Sequence, residues 1–330
     1  MVGLPPAPLW EKSLSRLLYP ETPGAAPDGF VAEPLPSSRP VFRFVSNNGG
    51  AAVVGKFFSA CPPLTSADRS LLREYDNYQE AARLGLNGDR GLLPRVLGRD
   101  PSSRLGLLLE AIPGPDLDGL IKRAGLEGDA APLTRGLENL AELLARFHAA
   151  PLPPAPVSPA EGLAYLDKLR FQLQGQGLLT LEDAAALAGE RAAWGERFSA
   201  LPDFRVLVHG DATPTNFLFP GGRAVALDLE RLRVADRLWD LSWVAGELKH
   251  AWAWRTGGFH GAEPFIRGFF AAYLAALPGG PSLAPRLYSL NPFYMALAEL
   301  RIARNAYLSR EYRGALVAEA RLCLAGGRRI

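Results

Sequence analysis

Apolar positions along this chain fall first into short alternating runs and later into long runs with helical spacing. The change comes near residue 113. Residues 41–45, Val-Phe-Arg-Phe-Val, alternate in the manner of a half-buried strand. Asn47-Asn48-Gly49-Gly50 is a strong turn signal, and residues 51–58 resume as a second strand that carries Lys56. Before this hairpin, residues 1–40 hold prolines and glycines around a short helical pattern over 10–18. After it, the spacing predicts a helix over 71–84, a short strand over 92–97 and a buried strand over 104–112, which Pro113-Gly114-Pro115 ends. From Leu117 onward helices dominate. Residues 137–149 place Leu140, Leu143, Leu144 and Phe147 on one face. A stiff proline-rich connection covers 151–159. Further helices are predicted over 161–173, 181–198, 241–255, 263–277, 292–309 and 314–325, with no internal repeat. The pattern predicts an α+β protein.

Two apolar runs in the helical part are too short for helices. Val206-Leu207-Val208 leads into His209-Gly210-Asp211, and Asn216 follows five residues after Asp211. Ala224-Val225-Ala226-Leu227 delivers Asp228-Leu229-Glu230. Two short strands thus each end on a carboxylate, and the turn between them adds an amide. Phosphoryl transfer needs in-line positioning and neutralised phosphate charge rather than covalent help. Mg2+ prefers hard oxygen ligands and keeps several waters, so a carboxylate and an amide oxygen suffice. A further carboxylate beside the acceptor hydroxyl can orient it and take its proton. Asp211 suits the base, Asn216 and Asp228 suit the metal, and Pro214 stiffens the turn between them. Asp, Thr, Pro and Asn are also ordinary hairpin-turn residues. The joint spacing of Asp211, Asn216 and Asp228 argues against a plain turn.

His-Gly-Asp-x-x-x-x-Asn followed by Asp-x-Glu resembles the catalytic and metal-binding segments of the aminoglycoside phosphotransferase/choline kinase-type family, a small-molecule branch of the protein-kinase-like fold. Protein kinases use His-Arg-Asp with the same Asp-to-Asn spacing and Asp-Phe-Gly for the metal. Gly210 and the Asp-Leu-Glu form favour the small-molecule branch, and an Ala-Pro-Glu element is absent. The resemblance implies a two-lobed protein-kinase-like fold. A small N-terminal nucleotide-binding lobe over 1–112 would hold an antiparallel sheet and one main helix. A larger, mainly helical catalytic and acceptor-binding lobe would cover 113–330. It further implies ATP and Mg2+ as cofactors and a small-molecule hydroxyl as acceptor.

The resemblance also gives roles to single residues. Lys56 becomes the phosphate-binding lysine paired with a helix glutamate, against the ordinary reading of an edge-strand lysine facing solvent. Glu74 matches the expected partner position, with Glu80 as the fallback. Glu110-Ala111-Ile112 becomes the connection that binds the adenine edge through backbone groups, and an ordinary interlobe connection would look identical in sequence. His209 reads as a buried support of the catalytic turn and His148 as a core histidine. Asp240 either caps a helix beginning at 241 or braces the catalytic turn. Glu230 either meets a second metal or faces solvent. GAAVVGKF at 50–57 fits Gly-x-x-x-x-Gly-Lys, but Phe57 stands where a P-loop needs Ser or Thr, so it is not one. A Gly-x-Gly-x-x-Gly loop is absent, which leaves 24–29 and 49–50 as candidates to cover phosphates.

Composition narrows the rest. The 330 residues fit two lobes of one catalytic unit, and a net charge of +2 gives no nucleic-acid or membrane signal. Cys61 and Cys323 have no metal-ligand spacing and read as free thiols in a reducing compartment. The four histidines are too scattered for a zinc site. No signal peptide and no apolar run near the roughly 20 residues of a membrane span are evident, so the expected location is the cytoplasm. The oligomeric state stays open. From residue 241 to the end, five acidic side chains face eleven basic ones. That tilt leans away from polycationic acceptors and toward a neutral or anionic hydroxyl compound such as a sugar, a sugar phosphate or a lipid-linked glycan. Solvated helix faces would explain the same arginines. Trp243, Trp252 and Trp254 either stack on a sugar ring or fill the core. The weak glycine loop motivates one alternative, a nucleotide-binding regulator or pseudokinase without efficient turnover.

Overall fold

The alternating runs of the first third build a five-stranded antiparallel sheet with strand order β1-β2-β3-β5-β4. The structure, a computed structural model, describes residues 7–20, 29–37, 39–47, 52–59, 65–87 and 91–327. Asn48, Gly49 and Gly50 of the predicted turn, Gly24 and Cys61 lie outside them.

In chain order the first stretch contains α1 (Ala7–Leu18), β1 (Phe30–Pro34), β2 (Val41–Ser46), β3 (Val53–Phe57), α2 (Ser66–Arg83), β4 (Val96–Asp100) and β5 (Leu105–Glu110). Alternation sorts β3 into two faces. Val53 and Phe57 join Trp10 and Leu14 of α1, with Phe30, Phe44, Leu105 and Leu108, in one apolar cluster. Lys56 lies in register with Leu107 and Val54 with Leu109, on the opposite face. There α2 packs closely on β5. A Cβ at Gly106 would stand 2.5 Å from Leu71 Cδ2, so this approach needs glycine.

Three sequence expectations shift here. Strand β1 went unpredicted, because Glu33 and Pro34 at its end hid a pairing of Phe30 with Ser46 and Ala32 with Phe44. Helix α2 starts five residues before 71. Thr65 Oγ1 accepts the Asp68 N–H at 3.0 Å and the Asp68 carboxylate accepts the Thr65 N–H at 3.2 Å, a reciprocal cap. The strand placed over 92–97 forms as β4 instead. Pro94 cannot donate to a ladder, so pairing begins only after it.

The second stretch holds α3 (Leu117–Glu127), α4 (Ala130–His148), α5 (Ala160–Gly175), α6 (Leu181–Ala200), β6 (Val206–Val208) and β7 (Phe217–Leu218). Helix α4 begins seven residues before 137, with Pro132 in its first turn, where a missing N–H costs nothing. After β8 (Val225–Ala226) come β9 (Arg233–Ala235), α7 (Leu238–Thr256), α8 (Glu263–Ala276), α9 (Ala284–Ala303) and α10 (Arg310–Gly327). Strand β9 pairs antiparallel with β6. Pro292 was expected to open a helix over 292–309, but it lies inside α9. There Gly327 of α10 approaches it so closely that a Cβ on that glycine would meet Pro292 Cβ at 2.8 Å.

The chain divides into two compact units, Met1–Gly114 with Val225–Leu232, and Pro115–Ala224 with Arg233–Ile330. The short return segment places Asp228 and Glu230 in the sheet-bearing unit. Ala226 N–H donates there to the Leu92 carbonyl at 2.9 Å. Among the described residues, no helix is long and apolar enough to cross a membrane.

Candidate active site

In the sheet-bearing unit, Lys56 is no edge residue, because β3 lies between β2 and β5. Its Nζ donates to Glu74 Oε1 at 2.6 Å and to Asp228 Oδ1 at 2.8 Å. Burial alone would lower the Lys56 ammonium, but Glu74 and Asp228 more than offset it and hold the group above its ordinary value. Burial pushes Glu74 up to about 7, against the pull of Lys56. The geometry chooses Glu74 over Glu80, which pairs with Arg83 at 2.6 Å on the exposed face of α2.

Asp228 sits at φ 59°, in the left-handed region where a non-glycine residue is uncommon. The next residue is fastened. Asn77 Nδ2 donates to the Leu229 carbonyl at 2.6 Å. Glu230 does not simply face solvent, since its side chain is only 14% exposed. It accepts from Arg39 and, at 2.8 Å, from the Ser70 hydroxyl, and these partners hold its carboxyl below its ordinary value even though burial alone would raise it. Arg39 also stands 3.8 Å from Glu74 Oε2. It belongs to the turn between β1 and β2, at 35–40, which the sequence reading did not identify.

Glu110 ends β5. Its N–H donates to the Arg95 carbonyl at 3.0 Å, and its carboxylate accepts the Arg95 N–H at 3.0 Å. The register places this side chain on the α1 face, away from Lys56. Ala111 N–H donates to Ala52 O at 3.1 Å. Glu110, Ala111 and Ile112 line a cavity of about 490 Å³ with Ala52, Val53 and Leu97.

In the helical unit, the turn after β6 is pinned from below. Asp240 lies in the first turn of α7, not at its cap, because the helix starts at Leu238 rather than 241. Its carboxylate accepts the His209 N–H at 2.7 Å and the Gly210 N–H at 2.9 Å, which is the bracing role. Burial would raise Asp240, yet the bond from His148 and these N–H groups hold it below the ordinary carboxylate range. His148 is buried at the end of α4, 3.3 Å from Asp240 and 2.8 Å from the Tyr273 hydroxyl. Burial keeps it low, so it is neutral at pH 7. His209 is fully buried against Phe147 and Phe217, and its Nδ1 accepts the Asp211 N–H at 3.3 Å. Gly210 has φ 78°, so a side chain there would strain the turn.

Asn216 Nδ2 donates to the Asp211 backbone carbonyl at 2.9 Å. That bond ties the amide to the Asp211 backbone through its nitrogen. Asp228 is one-third exposed. An amide oxygen and a carboxylate oxygen are each donors of the hard kind that Mg2+ takes.

One cluster had no sequence signal. Arg301, from α9, donates through Nη2 to Asp211 Oδ1 at 3.1 Å and through Nη1 to Glu247 Oε1 at 2.9 Å. The guanidinium carbon lies 5.5 Å from the Trp243 ring centre. Burial pushes Glu247 up to about 7, with Arg301 opposing and Asp211 adding to the rise. In sequence Arg301 was one of eleven basic residues and seemed surface charge.

The structure also explains where that basic excess goes. Arg255 pairs with Asp118, Arg286 with Asp236, Arg321 with Asp183 and Arg301 with Asp211. These acids precede residue 241 and were outside the count, so the tilt is not a free positive field. Trp243 is buried and Trp254 is exposed. Burial pushes the Cys323 thiol far up, so it stays protonated.

A family model described as the phosphotransferase enzyme family matches residues 32–286. Among solved structures, a choline/ethanolamine kinase family protein from Mesorhizobium loti aligns with TM-score 0.60 at 18% identity, covering 98% of this chain and 100% of the other. The ADP-bound aminoglycoside phosphotransferase APH(2'')-Ib aligns with TM-score 0.55 at 16% identity, covering 94% and 98%. A glucosamine kinase aligns with TM-score 0.55 at 18% identity, covering 96% and 83%. At these identities the structures show a shared protein-kinase-like fold. A comparison with curated proteins gives no match.

Proposed function

We proceed from the fact that the chain belongs to the phosphotransferase enzyme family, a small-molecule kinase, and propose that it moves the γ-phosphoryl group of ATP, with Mg2+, to a hydroxyl of a neutral or anionic small molecule such as a sugar derivative. The observation that carries this reading is Lys56, a lysine held charged on a central strand between two carboxylates. A buried ammonium with two anionic partners is costly to assemble for structure alone and suits an α/β-phosphate contact.

Residues 1–112 then serve the nucleotide and 113–330 the catalytic base and acceptor. Lys56 holds phosphate oxygens, and Glu74 keeps its ammonium aimed. Backbone groups of Glu110 to Ile112 meet the adenine edge. Ser37 and Arg39, between β1 and β2, join 24–29 and 49–50 as candidates to cover the phosphates. Asn216 and Asp228 offer oxygens to Mg2+, which when bound neutralises phosphate charge. Asp211 orients the acceptor hydroxyl and takes its proton, while Asp240 and His209 keep the turn from relaxing.

The three solved structures reported above are named for choline or ethanolamine, an aminoglycoside and glucosamine, whose acceptors carry amine or quaternary ammonium groups. Arg301 beside the base favours a different class here. Neither nucleic acid nor membrane insertion has a place in this reading.

ADP release with ATP and Mg2+ across a library of hydroxyl compounds is the test. Turnover with one acceptor class, reduced roughly 10²- to 10⁴-fold in Asp211→Asn, is the expected result. Tight nucleotide binding with no turnover anywhere would make the protein a nucleotide-binding regulator instead.

A further inference from the structure

We infer that Arg301, seated between Asp211 and Glu247 on the face of Trp243, selects the acceptor by charge, admitting vicinal hydroxyls and excluding amines. This rests on the reading of Asp211 as the base, and the test below separates the two.

A hydroxyl that reaches Asp211 must also reach the guanidinium, because Arg301 Nη2 lies 3.1 Å from Asp211 Oδ1. The pair is accessible rather than sealed, since Arg301 is 21% exposed and Asp211 15%. A guanidinium carries five N–H donors in a fixed fork. A vicinal diol complements such a pair. One O–H donates to the carboxylate, and the neighbouring oxygen accepts from the guanidinium. A lone alcohol satisfies only half of it.

The same geometry opposes cations. An ammonium within hydrogen-bond reach of Asp211 would stand about 4 Å from a permanent positive charge. The resulting repulsion lowers affinity by roughly 10- to 10³-fold, depending on local screening. The two carboxylates that would attract an amine already share Arg301 as their counter-ion. Trp243, which could form a cation–π contact with a ligand, is covered by the same guanidinium.

Removing the guanidinium therefore inverts the site. Arg301→Met would leave two carboxylates without their cation beside the Trp243 ring, the charge pattern that recognises an amine. A residue with a merely structural role would lose activity without changing preference.

Two measurements on the full chain decide the matter. The first is ADP release on matched pairs, D-glucose against D-glucosamine and glycerol against ethanolamine. Wild type should favour the neutral member at least tenfold in kcat/KM. Arg301→Met should erase or reverse that preference through KM, and Arg301→Lys, which keeps the charge, should still exclude amines. The second measurement needs no turnover. Calorimetry with choline should show no binding to wild type and binding at least tenfold tighter to Arg301→Met, or to Arg301→Gln should the Met variant fold poorly. Wild type binding choline as tightly as the variants would overturn the proposal. So would an Arg301 variant that slows both members of each pair equally. If the kinase reading alone were wrong, ADP release would be absent throughout and the choline result would stand.

Discussion

At the scale of single residues, function rests on charges held in fixed company. Lys56 makes two charge-assisted hydrogen bonds, to Glu74 and Asp228, at 2.6 and 2.8 Å. A charge-assisted bond is worth about 1.5–3 kcal/mol, so Lys56→Met should raise the Kd for Mg-ATP roughly 10- to 100-fold. An isothermal titration that found nucleotide affinity unchanged would remove Lys56 from the phosphate site. Lys56, Asp211, Asn216 and Asp228 could be singled out as candidates because the proposal for each depends on residue type at a fixed spacing along the chain. Arg301 could not. Its partners, Asp211 and Glu247, lie 90 and 54 residues away, and nothing local distinguishes it from a solvated arginine. Glu230 was ambiguous for the same reason, since Arg39 and Ser70 are remote in sequence.

At the scale of elements, short-range signals set boundaries and close approaches set the site. Thr65 and Asp68 cap α2, the helix that carries Glu74. Their side chains were readable as Thr-x-x-Asp, yet the apolar periodicity that starts at Leu71 drew the boundary too late. Burial alone would raise Asp68, but its bonds from Ser59 and Thr65 lower it to about 2. Helices α7 and α9 show the opposite case, with no sequence signal beyond a glycine in a helix. Gly246 faces Ala298, and a Cβ there would lie 2.6 Å from the alanine Cβ and 3.3 Å from the Met295 carbonyl. Two opposed effects meet in Gly246→Ala. Helix propensity gains up to about 1 kcal/mol, while overpacking costs about 1–3 kcal/mol. The methyl group would press on backbone and a second Cβ, neither of which can rotate away, so the cost should win. The variant should melt at lower temperature. Because Glu247 and Arg301 follow the contact on the two helices, its acceptor KM should also rise while its affinity for Mg-ATP stays near wild type. A higher melting temperature would show that the helices separate without strain.

For the molecule as a whole, two sets of carboxyls pull stability in opposite directions with pH. Bonds and neighbouring charges lower Asp100, Asp183, Asp240 and Glu230, as they do Asp68. Each of these contributes stability that is present above its unfolded pKa and fades as pH falls through the folded one, in acid. Glu74 and Glu247 are both raised to about 7, chiefly by burial. Their contribution is complete below the unfolded value near 4.5 and is lost as pH rises through about 7. Stability should therefore peak between these windows and decline toward pH 8, while acid unfolds the protein on the other side. Glu247→Gln isolates one term, because the amide cannot ionise. Below pH 4.5 the variant and wild type should melt together. Between pH 5 and 8 the variant should gain on wild type by an amount on the order of 2–3 kcal/mol. A calorimetric melting series at constant ionic strength measures the difference directly. Parallel curves across that window would mean that Arg301 holds Glu247 ionised at no net cost. The same pair would then be a stabilising ion pair rather than a strained one beside Asp211.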